Sequence, residues 1–240
     1  MEKKVVLIQG GVADLVRTVT ASLLARDVTV VLSNPGGQAA HAALIDDMKT
    51  AGGRLVDLTH LQTAADDLKP MLEHIYQQYG SLDAVVNLFV PSAATDAEVL
   101  LQYVPTLEKQ VFAAGAFMAE KQIQGIVINQ FMMPTMFVDH PLNSAASAAR
   151  GAVTGLTRAA CVRFGKSGVR VVGLFVGLLD LPEIKAIASE RVLAATTTLG
   201  RWINAVDVAE TINFMALDSG YITGQMLILD GGMTSGINGI

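Results

Sequence analysis

Two glycines after the first apolar run are the residues whose type and position best suit ligand binding. Gly10 and Gly11 follow the run Val5–Ile8, and a helical pattern begins within the next few residues. A glycine turn between a strand and a helix suits a phosphate, because the backbone N–H groups and the helix dipole both favour an anion there. Asp14 places a carboxylate in the same first helical turn. We expect this carboxylate to cap the helix and to repel a phosphate.

Histidine and cysteine, the usual ligands of transition metals, are sparse in this chain. His41, His60, His74 and His140 are far apart, and Cys161 is the only cysteine. Neither residue type has the spacing to other ligands that a zinc site needs. We therefore expect no metal site.

The elements that must position these residues are short strands alternating with longer helical segments. This alternation is typical of an α/β fold in which a parallel sheet is covered by helices on both faces. The pattern predicts seven strands, at Val5–Ile8, Val28–Leu32, Gly53–Asp57, Ala84–Leu88, Ile126–Gln130, Val169–Phe175 and Met226–Leu229. It predicts helices over 14–26, 38–51, 61–79, 95–123, 142–165, 182–196 and 206–217, with Pro105 kinking or restarting the fourth.

Composition and charge exclude several classes of function. The chain has 240 residues, 51% of them hydrophobic and 16% charged, which fits a single oligomeric domain spanning residues 1–240. The net charge is −5 and the 17 basic residues are scattered, so we expect no nucleic-acid or anionic-membrane partner. No apolar run reaches the roughly 18 residues that span a bilayer. Because the first residues also do not read as a signal peptide, we expect a cytoplasmic protein.

A series of short motifs in the second half of the chain carries a family resemblance. They are Gly151–Arg158, Gly168–Val172, Gly200–Trp202, Asp207–Ala209, Ile222–Gln225 and Asp230–Gly232. In this order and spacing they resemble the short-chain dehydrogenase/reductase family over essentially the whole chain. The resemblance implies a Rossmann-type doubly wound fold, an NAD- or NADP-dependent activity and a subunit interface that includes the helix of residues 142–165.

The cofactor positions of the family are altered in this sequence. The family has Gly-x-x-x-Gly-x-Gly after the first strand, and here only Gly10 remains, with Asp14 and Val16 at the other two glycine positions. Ser33 stands at the position that often carries an acid for the adenine ribose. Asp57 matches the family's acid that contacts adenine, but it could equally be a residue that forms a turn. Asn87 begins the family's Asn-Asn-Ala-Gly stretch, but bulky residues follow in Leu88, Phe89 and Val90. We therefore expect no cofactor in this chain.

The four catalytic positions implied by the resemblance are also altered. Ala146 stands at the tyrosine position and Arg150 at the lysine position, Phe131 at the serine position and Phe112 at the asparagine position. Alanine has no proton to exchange, and the high pKa of arginine prevents it from relaying protons. The run Phe131–Phe137 either fills an abandoned pocket or forms an acyl groove, and we favour filling. We expect no catalytic residue here.

These departures favour a non-catalytic subunit of a hetero-oligomer. The implied partner is an active paralogue of the same family that binds NAD and oxidises a hydroxyacyl-CoA. One alternative is a non-redox enzyme, such as a lyase, isomerase or dehalogenase, that uses Arg150 as an anion clamp and Asp180 or Glu183 as a base. A second is a ligand sensor of the same fold. The small residues of the helix over 142–165 suit either a subunit interface or a buried face within the chain.

Overall fold

The fold is built around one parallel sheet of seven strands. The computed structural model describes residues 3–33, 45, 48, 54–58, 68–90, 97–132, 143–186 and 188–235. The strands are β1 (Val5–Gly10), β2 (Thr29–Ser33), β3 (Arg54–Asp57), β4 (Ala84–Phe89), β5 (Ile126–Met132), β6 (Arg170–Val176) and β7 (Met226–Leu229). Their order is β3-β2-β1-β4-β5-β6-β7, and every pairing is parallel. The predicted fold class and all seven predicted strands are confirmed.

Helices follow the strands and cover both faces. They are α1 (Ala13–Leu24), α2 (Lys69–Tyr79), α3 (Ala97–Glu120), α4 (Asn143–Phe164), α5 (Pro182–Lys185), α6 (Glu190–Thr196) and α7 (Ala205–Asn213). Apolar residues of α1 and α7 form one core with one face of the sheet. Apolar residues of α2, α3 and α4 form the second core with the other face. Because both faces are buried, the central strands are apolar at nearly every position.

One helix prediction and one of the two alternatives at Pro105 are wrong, while the kink at Pro105 stays a prediction. The helix predicted over 182–196 is two short helices, since Ser189 caps α6 by accepting a hydrogen bond from Val192 N at 3.4 Å. Pro105 does not restart the fourth predicted helix, because α3 runs through it as one element. The helix predicted over 38–51 and the part of another over 61–67 lie outside the described residues, apart from residues 45 and 48.

The start of α7 shows how local sequence positions an element. Asn204 Oδ1 accepts a hydrogen bond from Val206 N at 3.1 Å, and Asp207 Oδ2 accepts one from Asn204 N at 2.9 Å. This capping box satisfies N–H groups that the first helical turn leaves unpaired. Arg201 Nη1 also donates to Asp207 Oδ2 at 2.9 Å, and this hydrogen bond, first among the causes, lowers the pKa of the Asp207 carboxyl. The family-like residues of this segment therefore serve the fold.

Candidate functional site

The glycine turn after β1 is covered by two apolar side chains. Gly10 and Gly11 have positive φ angles of 71° and 83°. A Cβ built on Gly11 would lie 3.0 Å from both Leu88 Cβ and Val16 Cγ2. Both side chains are buried, with Val16 0% and Leu88 4% exposed. The space beside this turn is therefore occupied by the protein itself.

Asp14 lies in the first turn of α1, but the prediction that it caps the helix is wrong. The N-cap residue is Val12, which makes no side-chain cap hydrogen bond, and Asp14 is the second residue of the helix. The helix begins at Ala13, one residue before Asp14, because Gly10 and Gly11 already turn the chain out of β1. The exposed Asp14 carboxylate still adds negative charge at the helix N-terminus.

The remaining predicted cofactor positions lie near the carboxyl ends of β2, β3 and β4, but they differ in exposure. Ser33 ends β2 and is fully buried, whereas Asp57 ends the edge strand β3 and is exposed. Asn87, at 2% exposure, uses its side chain inside the fold, since its Nδ2 donates a hydrogen bond to Asn129 Oδ1 at 2.9 Å.

Three phenylalanines form one row across the sheet, close to the carboxyl ends of the central strands. Phe89, Phe131 and Phe175 are direct register partners on β4, β5 and β6. The Phe89 and Phe131 rings stack with centroids 5.1 Å apart, and Phe131 meets Phe175 edge to face at 6.4 Å. Ring pairs in these arrangements stabilise a core beyond their area of burial. We call these three residues the aromatic row.

Tyr103 completes this cluster from α3. Its ring centroid lies 4.3 Å from that of Phe89 and 6.0 Å from that of Phe131. The hydroxyl is buried and has no hydrogen-bond partner among the described residues, and burial raises the pKa of Tyr103. The sequence analysis did not identify Tyr103, because its role depends on how α3 packs on the sheet.

The four catalytic positions implied by the resemblance are divided between this cluster and the helices. Phe131 is at the centre of the aromatic row and is 0% exposed, and Ala146 is buried in the same apolar core. The Arg150 guanidinium lies over the Phe175 ring, 5.1 Å from its centroid. Phe112 packs instead against Phe164, with centroids 5.6 Å apart. At the centre of this region the structure therefore has packed rings. Residues 133–137 of the run lie outside the described residues, so the filling interpretation of the run stays a prediction.

A row of polar side chains lies beneath the aromatic row on the same face of the sheet. Gln9, Asn87 and Asn129 are register partners on β1, β4 and β5. Asn129 Nδ2 continues the chain of hydrogen bonds by donating to Thr157 Oγ1 of α4 at 3.2 Å. Sequence reasoning missed this polar row, although amides interrupting apolar strands were a visible signal.

The residues proposed as an alternative base lie in the segment that follows β6. Asp180 Oδ1 forms an ion pair with Lys185 Nζ at 2.6 Å, and the Asp180 side chain is about half exposed. Glu183 lies in the short helix α5. Within the described ranges, no group of three or more His, Cys, Asp or Glu side chains could hold a metal ion. No helix in those ranges is long and apolar enough to cross a membrane.

Comparison with known proteins shows the same fold and a family relationship. The profile of a family described as enoyl-(acyl carrier protein) reductase matches residues 11–234. Cis-4-hydroxycyclohexanecarboxylate dehydrogenase of Sinomonas cyclohexanicum is 27% identical over 240 residues, which cover 94% of each chain. The 3-oxoacyl-[acyl-carrier-protein] reductase of Staphylococcus aureus is 25% identical over 96% of this chain and 98% of its own.

A solved structure supports the fold independently. A short-chain dehydrogenase from Bacillus anthracis superposes with a TM-score of 0.80 at 22% identity, covering 97% of each chain. The agreement extends over nearly the whole length, as the family profile does. The chain therefore belongs to the short-chain dehydrogenase/reductase family of oxidoreductases.

Proposed function

We propose that this chain is a non-catalytic subunit of a hetero-oligomeric short-chain alcohol dehydrogenase. In this assembly an active paralogue binds NAD and performs the oxidation, and this chain supports its structure. The observation that carries the proposal is the aromatic row, with Phe131 packed between Phe89 and Phe175 where a catalytic serine is expected. A phenyl ring cannot donate a hydrogen bond to a substrate oxygen or exchange a proton with it.

The residues around the glycine turn do not fit a dinucleotide. A pyrophosphate needs close approach to the backbone at such a turn, which glycines permit. Here Val16 and Leu88 lie against Gly11, and Asp14 adds a negative charge at the start of α1. Steric exclusion and charge repulsion act in the same direction, so the proposal assigns NAD to the partner subunit alone.

An exposed face of α4 supports the assignment of a partner. Gly151 and Gly155 lie on this face, and a Cβ built on either meets no atom of the described residues within 4 Å. Val162, near the end of the same helix, is 83% exposed. Small residues let a second helix approach closely, and an exposed valine adds apolar area that association would bury. We assign this face, residues Gly151, Gly155 and Val162, to the subunit contact and call it the α4 face.

The finer form of the proposal concerns the substrate of the complex, a hydroxyacyl-CoA. The specific candidate is 2-[hydroxy(phenyl)methyl]succinyl-CoA, which is oxidised during anaerobic toluene degradation. This candidate rests on the resemblance of the chain to the inactive subunit of that heterotetrameric dehydrogenase. The substrate would bind and react in the active subunit.

The first experiment measures what the isolated chain binds. Calorimetric titration with NAD and NADP is expected to give no binding, and the isolated chain is expected to oxidise no alcohol. An intact short-chain dehydrogenase encoded in the same gene neighbourhood is the partner to co-express. The two chains are expected to co-purify with a mass near that of a tetramer by light scattering. Tight NAD binding by the isolated chain would overturn the cofactor argument.

The second experiment tests the α4 face. Gly155→Leu adds a large side chain where the chain itself leaves open space, so the isolated subunit should fold normally but fail to co-purify with its partner. Gln77→Leu, at an exposed position of α2, is the matched control and should leave assembly unchanged. Retention of a stable complex by Gly155→Leu would show that the α4 face is not the contact.

A further inference from the structure

The polar row beneath the aromatic row contains amide atoms that no described residue satisfies. Among the residues that the structure describes, both polar atoms of the Gln9 side chain and Asn87 Oδ1 are buried without a hydrogen-bond partner. Gln9 is 4% and Asn87 is 2% exposed. The two residues are register partners on β1 and β4, so their side chains point to the same face of the sheet.

Direct pairing of the two amides does not account for these atoms. Neighbouring strands lie about 4.8 Å apart, which brings the two side chains close together. Asn87 Nδ2 is already committed to Asn129 Oδ1 at 2.9 Å, which holds the Asn87 amide in one orientation. Asn87 Oδ1 therefore faces away from Asn129, towards Gln9 or towards the helices, but it makes no hydrogen bond to the Gln9 amide.

The polar row is shut off from bulk solvent. The aromatic row lies two residues further along two of its strands, β4 and β5, and Gln9 and Asn87 are both buried. Ala114 of α3 and Ala149 of α4 belong to the apolar core on this face and are 0% exposed. Bulk water therefore does not reach these amide atoms.

We propose that Gln9 and Asn87 hold an internal water-binding site between the sheet and helices α3 and α4. A water molecule can donate two hydrogen bonds and accept two. It could therefore accept from the Gln9 Nε2 amide and donate to Gln9 Oε1 or Asn87 Oδ1. Buried waters characteristically bind polar groups that the protein leaves unsatisfied. The site uses Asn87, which the resemblance placed among the cofactor positions, but it does not depend on the proposed function.

A substitution at Gln9 distinguishes a bridged amide from an unsatisfied one by the sign of its effect. Gln9→Met keeps the chain length of the side chain but removes both polar atoms. If water joins Gln9 to Asn87, the variant leaves Asn87 Oδ1 with a weakened partner, and the urea midpoint should fall. If the Gln9 amide is simply unsatisfied, its removal abolishes a desolvation cost, and the midpoint should rise, which would overturn the proposal.

A control variant and a crystal structure complete the test. Thr20 Oγ1 is also buried with no partner in the part of the chain that the structure describes, but it lies on α1 at the opposite face of the sheet. The isosteric Thr20→Val should therefore raise the midpoint or leave it unchanged. A high-resolution crystal structure should show ordered density about 2.7–3.2 Å from the Gln9 amide and Asn87 Oδ1. Density that is lost in Gln9→Met would support the site. A direct contact between the Gln9 and Asn87 amides, or no density there, would refute it.

Discussion

Replacement of Phe131 tests whether the aromatic row is part of the core that holds this fold together. Phe131 is 0% exposed and its ring meets three others, those of Phe89, Tyr103 and Phe175. Phe131→Ala removes the ring from a region in which the flanking strands cannot collapse without breaking their register. We therefore expect a loss near the upper part of the usual range, about 4–5 kcal/mol in the free energy of unfolding.

The assay is urea denaturation followed by circular dichroism at a fixed protein concentration, because assembly also contributes to apparent stability. Phe214→Ala is the matched control, since that ring is 46% exposed, and it should cost only about 1 kcal/mol. Phe131→Leu fills more of the space and should lose less than Phe131→Ala, which keeps the measurement possible if the alanine variant does not fold.

A serine at the same position separates stability from chemistry. Phe131→Ser restores the residue type expected for catalysis, but it leaves the same cavity and buries a hydroxyl, so its loss of stability should exceed that of Phe131→Ala. No dehydrogenase activity should appear. A Phe131→Ala loss equal to that of Phe214→Ala would refute the packing argument, and activity in Phe131→Ser would refute the assignment of the vacant catalytic positions.

Four further substitutions probe the glycine turn, the α4 face, the polar row and the start of α7. Gly11→Ala should lower the free energy of unfolding by at least about 1 kcal/mol, because φ is +83° and the new Cβ would meet two side chains. Gly155→Ala, on the α4 face, should instead raise it by up to about 1 kcal/mol in the unassembled chain. Thermal or urea unfolding measures both. Thr157→Val leaves the Asn129 amide without its acceptor and should cost about 1–3 kcal/mol; no loss would mean that this hydrogen bond is not formed. Asp207→Ala removes the capping box and should cost about 1 kcal/mol at neutral pH. The pKa of the Asp207 carboxyl in the folded protein lies below its ordinary value of 3.8. The stabilisation by Asp207 is therefore present above pH 3.8 and is lost as the pH falls through the folded pKa. A difference in unfolding free energy between wild type and Asp207→Ala that persisted in stronger acid would contradict this explanation.

Strand positions were predictable because each central strand is apolar at most of its positions. The run Ile126–Gln130 was predicted, and β5 extends only two residues further, to Met132. Helix starts were less predictable, as Asp14 and Ser189 show. A capping residue acts only if the chain enters the helix at that position, and the entry depends on the turn before it.

The sequence by itself determined the fold class, because the alternation of strands and helices and the motifs after Gly151 can be followed along the chain. The resemblance also predicts from spacing alone which positions depart from the family, at Asp14 and Val16 after the first strand and at Phe131 and Ala146. These assignments need no knowledge of neighbouring residues, and they stay predictions.

Only the tertiary structure decided what occupies the altered site. Phe89, Phe131 and Phe175 are far apart in the chain and become one row through the register of three parallel strands. Tyr103 joins them because α3 packs on that face, and Val16 meets Leu88 across Gly11 because β1 pairs with β4. These contacts are nonlocal, and a shift of one residue in any strand would turn the rings to the opposite face of the sheet.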